Sequence, residues 1–350
     1  MPNRVNEIDL LRFIAAFIVV LFHYSFRGFA ADNYSNMPYP ALVPISKYGY
    51  LGVELFFLIS GFVILMTASS GSLRKFVVSR MVRLYPAYWV SCTATFLALL
   101  AFGGERYSVS ASQYLVNMTL LNEFIGVPSI EGVYWSLAVE LKFYALIALL
   151  LLFGQINRAQ TFLVTWLIAT ALLDAFPVER LRSVLISEFA AYFIAGATCF
   201  LVYSQGLTKV RIAILIASWV VALRDSVQLS GLERHYHAHF DRVVVAVIIS
   251  AFFAVMFLVA LKRTGFLGQR DWITLGALTY PLYLIHQYLG YMIINMAYPA
   301  MNQHLVLWGT VLVMLFLAYL INWQVEQRYS KTLKRMLESA LAAIWKKRAV

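Results

Sequence analysis

Long apolar runs, interrupted by short polar or basic segments, set the pattern of this chain. Ten runs predict helices, at about 8–26, 50–69, 85–103, 134–154, 160–176, 185–204, 210–224, 242–262, 273–297 and 304–326. A bilayer admits spans whose backbone groups are paired internally, and these runs have helical rather than strand length. The expected fold is therefore all-α, a polytopic membrane helix bundle of about ten transmembrane helices. The stretch YLVNMTLL at 114–121 is too brief to span and reads as a re-entrant or interfacial turn. After 326 the pattern changes. Residues 327–350 set Met336, Leu337, Leu341, Ile344 and Trp345 among Lys and Arg, as in a basic amphipathic helix held on an inner membrane surface by anionic lipid. The expected organisation is one integral membrane domain over 1–326 and a cytoplasmic tail over 327–350.

Composition agrees with the pattern. Hydrophobic residues make up 61% of the chain and charged residues 13%, against about a quarter charged in an ordinary soluble domain. The net charge of +11 does not call for a nucleic acid, because the basic residues lie mostly between the apolar runs. With the N-terminus inside, 18 Lys and Arg fall on the cytoplasmic side and 8 outside, while Arg12 and Lys142 lie within spans. That bias puts both termini in the cytoplasm, which needs an even number of spans in a multi-pass protein of the cell (inner) membrane. Cys92 and Cys199 both fall in predicted spans, so no disulfide framework is expected. The first run carries Arg12 and is followed by no small-residue cleavage site, so it reads as a span rather than a cleavable signal.

Candidate chemistry begins in that first run, IDLLRFIAAFIVVLFH. Arg12 and His23 are eleven residues apart, close to three helical turns, so they share one stripe roughly 16 Å long. Ionisable residues inside a membrane are costly and mark function by default. Three others reach similar depths. Glu54 lies about one turn from the outer end of the second run. Glu140 lies about 9 Å into the fourth from outside, and His286 about 20 Å up the ninth from inside. The lipid cost of each favours a shared interior. Bland alternatives stand beside these readings: Glu54 could reach the interface, and His286 could satisfy a nearby carbonyl. Near the cytoplasmic face, Arg80 and Arg83 share a helix face and offer two planar forks suited to phosphoryl oxygens, with Arg12 able to point the same way; simple topological anchoring is the alternative. His235, His237 and His239 alternate in an outer segment. If extended, they could hold zinc or copper on one face, but no Cys lies near and no metal is expected.

Taken in order, Arg-x10-His at Arg12 and His23, GVELFFLISGF around Glu54, RMVR at Arg80 and Arg83, YWSLAVELKFY around Glu140, and LTYPLYLIHQ around Tyr283 and His286 resemble the acyltransferase-3 family. The family often has Gly where Leu11 stands, and acidic or Gln residues where Leu141 and Lys142 follow Glu140. The resemblance implies an acyl-CoA donor, acetyl-CoA first, used from the cytoplasm without a metal. It implies an acceptor hydroxyl on a surface polysaccharide or lipid-linked glycan such as an exopolysaccharide. On that footing His23 is the expected general base, Glu140 (or Glu54) orients it, and His286 or Tyr283 donates to the oxyanion. Arg12, Arg80 and Arg83 would hold the coenzyme A phosphates. A relay in which His23 is itself acylated uses the same residues. The competing reading is a proton-coupled transporter or flippase of a lipid-linked sugar, although no inverted repeat is evident.

Overall fold

All ten apolar runs are helical in the computed structural model, which describes residues 4–104 and 106–346, with side chains as far as 340. The helices are α1 (Asn6–Phe22), α2 (Gly52–Ala68), α3 (Leu73–Phe102), α4 (Trp135–Leu152) and α5 (Ala159–Ala175). They continue with α6 (Ala190–Gln205), α7 (Lys209–Ser226), α8 (Arg242–Ala260), α9 (Ile273–Ala297) and α10 (Gln303–Ile321). A π-helical turn, Asn322–Glu326, joins α10 to the tail helix α11 (Gln327–Lys346). The tail residues Leu341, Ile344 and Trp345 lie outside the described side chains.

Local chemistry sets several starts. Glu7 and Asp9 occupy the first turn of α1, where acids favour the positive end of the helix. Ser72, Thr208, Asp241 and Asn302 accept from free backbone amides at the starts of α3, α7, α8 and α10. Among the described residues, seven helical segments are long and apolar enough to cross a membrane, or eight if α7 is joined to Ser230–Tyr236 across a 43° bend. Two predicted spans fall outside even the larger set. Helix α6 is only 16 residues long, and α9 is diluted by Thr279, Pro281, His286 and Gln287.

Packing divides the chain into two compact units. The first is Met1–Asn33, Pro38–Gly71 and Val139–Gly276; the second is Tyr34–Met37, Ser72–Ala138 and Ala277–Val350. In the first, α6 is buried continuously from Ala190 to Val202 and packs along α2. Gly61 and Gly196 let the two backbones meet: a Cβ at 196 would collide with the Leu58 carbonyl, and one at 61 with the Phe193 carbonyl. Small residues at such crossings let membrane helices pack by dispersion where no hydrophobic driving force separates helix from lipid. Phe193 packs between Phe57 and Phe143 with tilted rings, their centroids 4.9 and 4.5 Å away.

In the second unit, the Tyr280 hydroxyl donates to the Leu84 carbonyl (3.1 Å), tying α9 to α3, and Arg74 donates to the Glu338 carbonyl (2.5 Å), tying α11 to α3. The brief 114–121 stretch contributes to a seven-residue helix, Ala111–Asn117, followed by a turn. It is fixed by the Tyr88 hydroxyl, which donates to the Asn117 carbonyl at 2.7 Å.

Candidate functional site

His23 stands where α1 gives way to a five-residue π-helical segment, His23–Arg27. Such insertions in α-helices occur frequently at functional sites. The ring is 3% exposed, and its Nδ1 lies 2.8 Å from the Val19 carbonyl oxygen. A carbonyl only accepts, so Nδ1 carries the proton, and the neutral ring presents a lone pair at Nε2. The preceding Phe22 meets this ring edge-on at 5.2 Å and also packs against Tyr50 and Tyr236. In the same unit Arg12 is half-buried on α1. Glu54 lies in the first turn of α2; its Oε2 is enclosed and has no hydrogen-bond partner among the described residues. Glu140 Oε1 accepts from the Ser60 hydroxyl at 2.6 Å, whereas Lys142 turns away and donates to Ser183 at 2.9 Å. Glu140 and Lys142 therefore serve different neighbours, as their two-residue spacing on a helix requires.

The second unit holds its own polar cluster around α9. His286 is fully buried, and its Nδ1 donates to the Tyr283 carbonyl at 2.9 Å. The Tyr283 hydroxyl is 2.7 Å from Ser136 Oγ, and Ser136 donates to the Val133 carbonyl at 3.0 Å. Beside them is an acid that the sequence reading passed over. Glu131, immediately before the fourth span, is completely buried; its Oε1 accepts from the Tyr288 amide at 2.8 Å and its Oε2 from Thr95 at 3.4 Å. The Tyr134 hydroxyl donates to the Leu284 carbonyl at 3.2 Å. Tyr288 N–H and Leu284 C=O, which an unperturbed helix pairs with each other, thus each have a partner from the 131–134 turn. Gly132 permits this approach, since a Cβ there would lie 2.5 Å from Gln287 Oε1.

Burial pushes the Glu131 carboxyl up to about 8, against the pull of the Tyr288 amide, the Thr95 hydroxyl and the Gln287 amide. Because this acid holds its proton more tightly when folded, its contribution to stability is complete below the ordinary carboxyl range. It is lost as pH rises toward about 8. The thermal midpoint of detergent-purified protein should accordingly fall between pH 5 and pH 9, and Glu131→Gln should flatten that fall. Equal slopes for the variant and the parent would exclude Glu131 as the source.

Arg80 and Arg83 both lie half-buried on α3. Arg80 Nη2 donates to Ser79 at 3.2 Å. Arg83 is paired with Glu326 at 3.3 Å and lies 5.3 Å over the Tyr280 ring. Glu326 belongs to the second π-helical segment and also accepts from Asn322 at 2.7 Å. A phosphate on Arg83 would share the guanidinium with that carboxylate, a partner 243 residues away that no sequence spacing announces.

His235, His237 and His239 do not share a face. The segment is helical from Ser230 to Tyr236 rather than extended, and His237 turns left-handed at φ 49°. His235 faces Asp32 at 3.9 Å and His239 faces Glu233 at 2.8 Å. Among the described residues, no group of three His, Cys, Asp or Glu side chains is placed to hold a metal ion.

A bundle of apolar helices with buried histidines and carboxylates and half-buried arginines defines a multi-pass membrane protein built around polar chemistry. More particularly, the chain belongs to the acyltransferase-3 family: the family model described as an acyltransferase domain matches residues 5–323. It is similar to nodulation protein 10 of Rhizobium leguminosarum bv. viciae, with 32% identity over 42% of this chain and 44% of that one. The peptidoglycan O-acetyltransferase OatA of Listeria monocytogenes is 29% identical over 49% of this chain and 28% of its own length. The acyltransferase MdmB of Streptomyces mycarofaciens is 28% identical over 41% and 39% respectively. The chain thus matches less than half the length of each of these relatives. No solved structure matches it.

Proposed function

We propose that this chain is a membrane O-acyltransferase of the cell (inner) membrane, with both termini cytoplasmic. It moves an acyl group, acetyl in the simplest case, from cytoplasmic acyl-CoA to a hydroxyl of a surface polysaccharide or lipid-linked glycan. The observation that carries the proposal is His23: a buried imidazole whose Nδ1–H donates to a backbone carbonyl, the tautomer that puts the basic lone pair on Nε2. Family membership supports acyl transfer, and the Listeria relative's name supports a glycan hydroxyl as acceptor.

In the proposed reaction, His23 Nε2 takes the acceptor hydroxyl proton as its oxygen attacks the thioester carbonyl. The tetrahedral intermediate collapses with cleavage of the C–S bond, and the imidazolium returns the proton to the departing thiolate. The carbonyl of Val19 sets the tautomer. Glu54, two residues from the Gly52 that meets Val19, is the carboxylate assigned to favour the imidazolium, because Glu140 is held by Ser60, about 9 Å further along α2. His286, with Nδ1 donating to the Tyr283 carbonyl, donates to an oxyanion only as imidazolium, and the Tyr283 hydroxyl, which donates to Ser136 or Val133, would have to leave that partner to do so.

Arg12, Arg80 and Arg83 are assigned to the coenzyme A phosphates. Loss of a charge-assisted hydrogen bond costs about 1.5–3 kcal/mol. The Arg80→Gln, Arg83→Gln double variant should therefore raise KM for acetyl-CoA at least about tenfold with little change in acceptor KM. Unaltered donor KM would leave these arginines as topological anchors. Glu326→Gln, which frees Arg83, should move donor KM in the opposite direction.

A further inference from the structure

The first unit contains a second polar feature that the reaction above does not use. Between α4 and the segment joining α5 to α6 lies a cavity of about 350 Å3, inside the range of about 300–1,000 Å3 common for small-molecule sites. Its polar lining comes from Lys142, Glu179, Arg182, Ser183, Ser187 and Glu188. The wall is built rather than incidental. Ser187 is 2% exposed, and its hydroxyl has no hydrogen-bond partner among the described residues. An enclosed hydroxyl in that state is costly unless something supplies a partner. Arg182 is steadied by Asp174 at 3.9 Å and Glu179 at 3.6 Å, and Asp174 in turn pairs with Arg224. The backbone between the short helix Glu179–Val184 and α6 turns through Ile186 at φ 55°, and Trp166 fixes it by donating to the Leu185 carbonyl at 2.8 Å.

The lining selects among ligands. A phosphate group suits Lys142 and Arg182 but meets the carboxylates of Glu179 and Glu188. A cation has the reverse difficulty. A polyhydroxylated ring suits both, because each hydroxyl donates and accepts, and Phe189 adds an apolar surface for the C–H face of a sugar. Glu188, on the cavity wall, is close enough to Glu54 of α2 for their charges to interact, so the cavity adjoins one of the carboxylates already singled out in this unit. A groove of similar size, about 380 Å3, between α7 and α8 is lined instead by Ile212, Leu215, Ile216, Trp219, Phe253 and Phe257 and has the character of a lipid-facing surface.

We infer that the cavity beside Lys142 and Ser187 binds the saccharide portion of the acceptor, a hydroxyl-rich glycan end entering from the outer side. That the bound sugar is the acyl acceptor rests on the acyltransferase reading; that the ligand is a saccharide rests on the cavity alone.

The test separates the two. In cells expressing the full chain, p-azidophenylalanine is placed at Ser183 and, in separate variants, at the more exposed Glu179 and at Ile216 in the apolar groove. After irradiation, the purified proteins are hydrolysed and their monosaccharides and lipids measured. Sugar attached at Ser183 or Glu179, at least tenfold above Ile216, is the expected result and needs no acyl transfer. Lipid alone at both cavity positions, or sugar no higher than at Ile216, overturns the inference even in an active enzyme. Glu179 keeps the test decisive if Ser183 does not tolerate the photoreactive group. In the transfer assay, Ser187→Ala should raise acceptor KM about three- to tenfold and leave donor KM unchanged. Unchanged acceptor KM counts against the site, whereas sugar crosslinked to a protein that transfers no acyl group would overturn the acyltransferase reading and spare the site.

Discussion

Replacement of His23 by Gln is expected to lower kcat for acyl transfer by about a hundred- to ten-thousandfold, the usual contribution of a positioned general base. Acetyl-CoA KM should change little, because the phosphates are assigned to Arg12, Arg80 and Arg83 rather than to the imidazole. The variant should still fold: glutamine is polar, of similar length, and able to donate to the Val19 carbonyl that now fixes the ring. Size-exclusion profiles and the thermal midpoint in detergent provide that control. A fall in kcat of less than about tenfold in well-folded protein would remove the imidazole from the chemistry.

The second large effect is on folding. Gly196→Val, or Gly61→Val, should leave almost no folded protein in the membrane. Overpacking a core with extra methylenes costs about 1–3 kcal/mol when neighbouring side chains can shift. Here the obstacle is backbone: Leu58 C=O faces one glycine and Phe193 C=O the other, so α2 and α6 would have to separate along their whole contact. Gly309→Ala is the matched control, because a Cβ at that position of α10 meets nothing within 4 Å. Solubilised yield and monodispersity check both. Normal yield of Gly196→Val would mean that the helices do not cross this closely.

Much of the helical architecture is legible from apolar runs, because the bilayer admits few alternatives. Helix boundaries are less so. Helix α3 begins at Leu73 rather than near 85, since LRKFVVSRMVRLY is too basic to register as a span yet is capped by Ser72 and helical throughout. Helix α6 begins at Ala190 rather than 185 because the chain turns at Ile186. The π-helical segments at His23–Arg27 and Asn322–Glu326 have no compositional signature; neither contains a proline or glycine, and the Gly28 that follows the first is not specific to such a turn. His23 and Arg12 could be singled out because charge in an apolar run is conspicuous. The tautomer of His23 could not, because it depends on a rotamer meeting Val19. Glu131 escaped notice for the opposite reason: an acid at the mouth of a span is ordinary at an interface, and only its complete burial against α9 makes it unusual. An acidic residue directly preceding an aromatic-rich span entrance was the one available clue.

The most direct measurement supplies acetyl-labelled acetyl-CoA to the cytoplasmic face of membranes containing this chain, with a cell-envelope glycan fraction on the other side. Label in alkali-labile ester linkage to sugar, abolished by His23→Gln, is the predicted result. Glycan that crosses the membrane unlabelled, or label that reaches sugar equally well with His23→Gln, would contradict it.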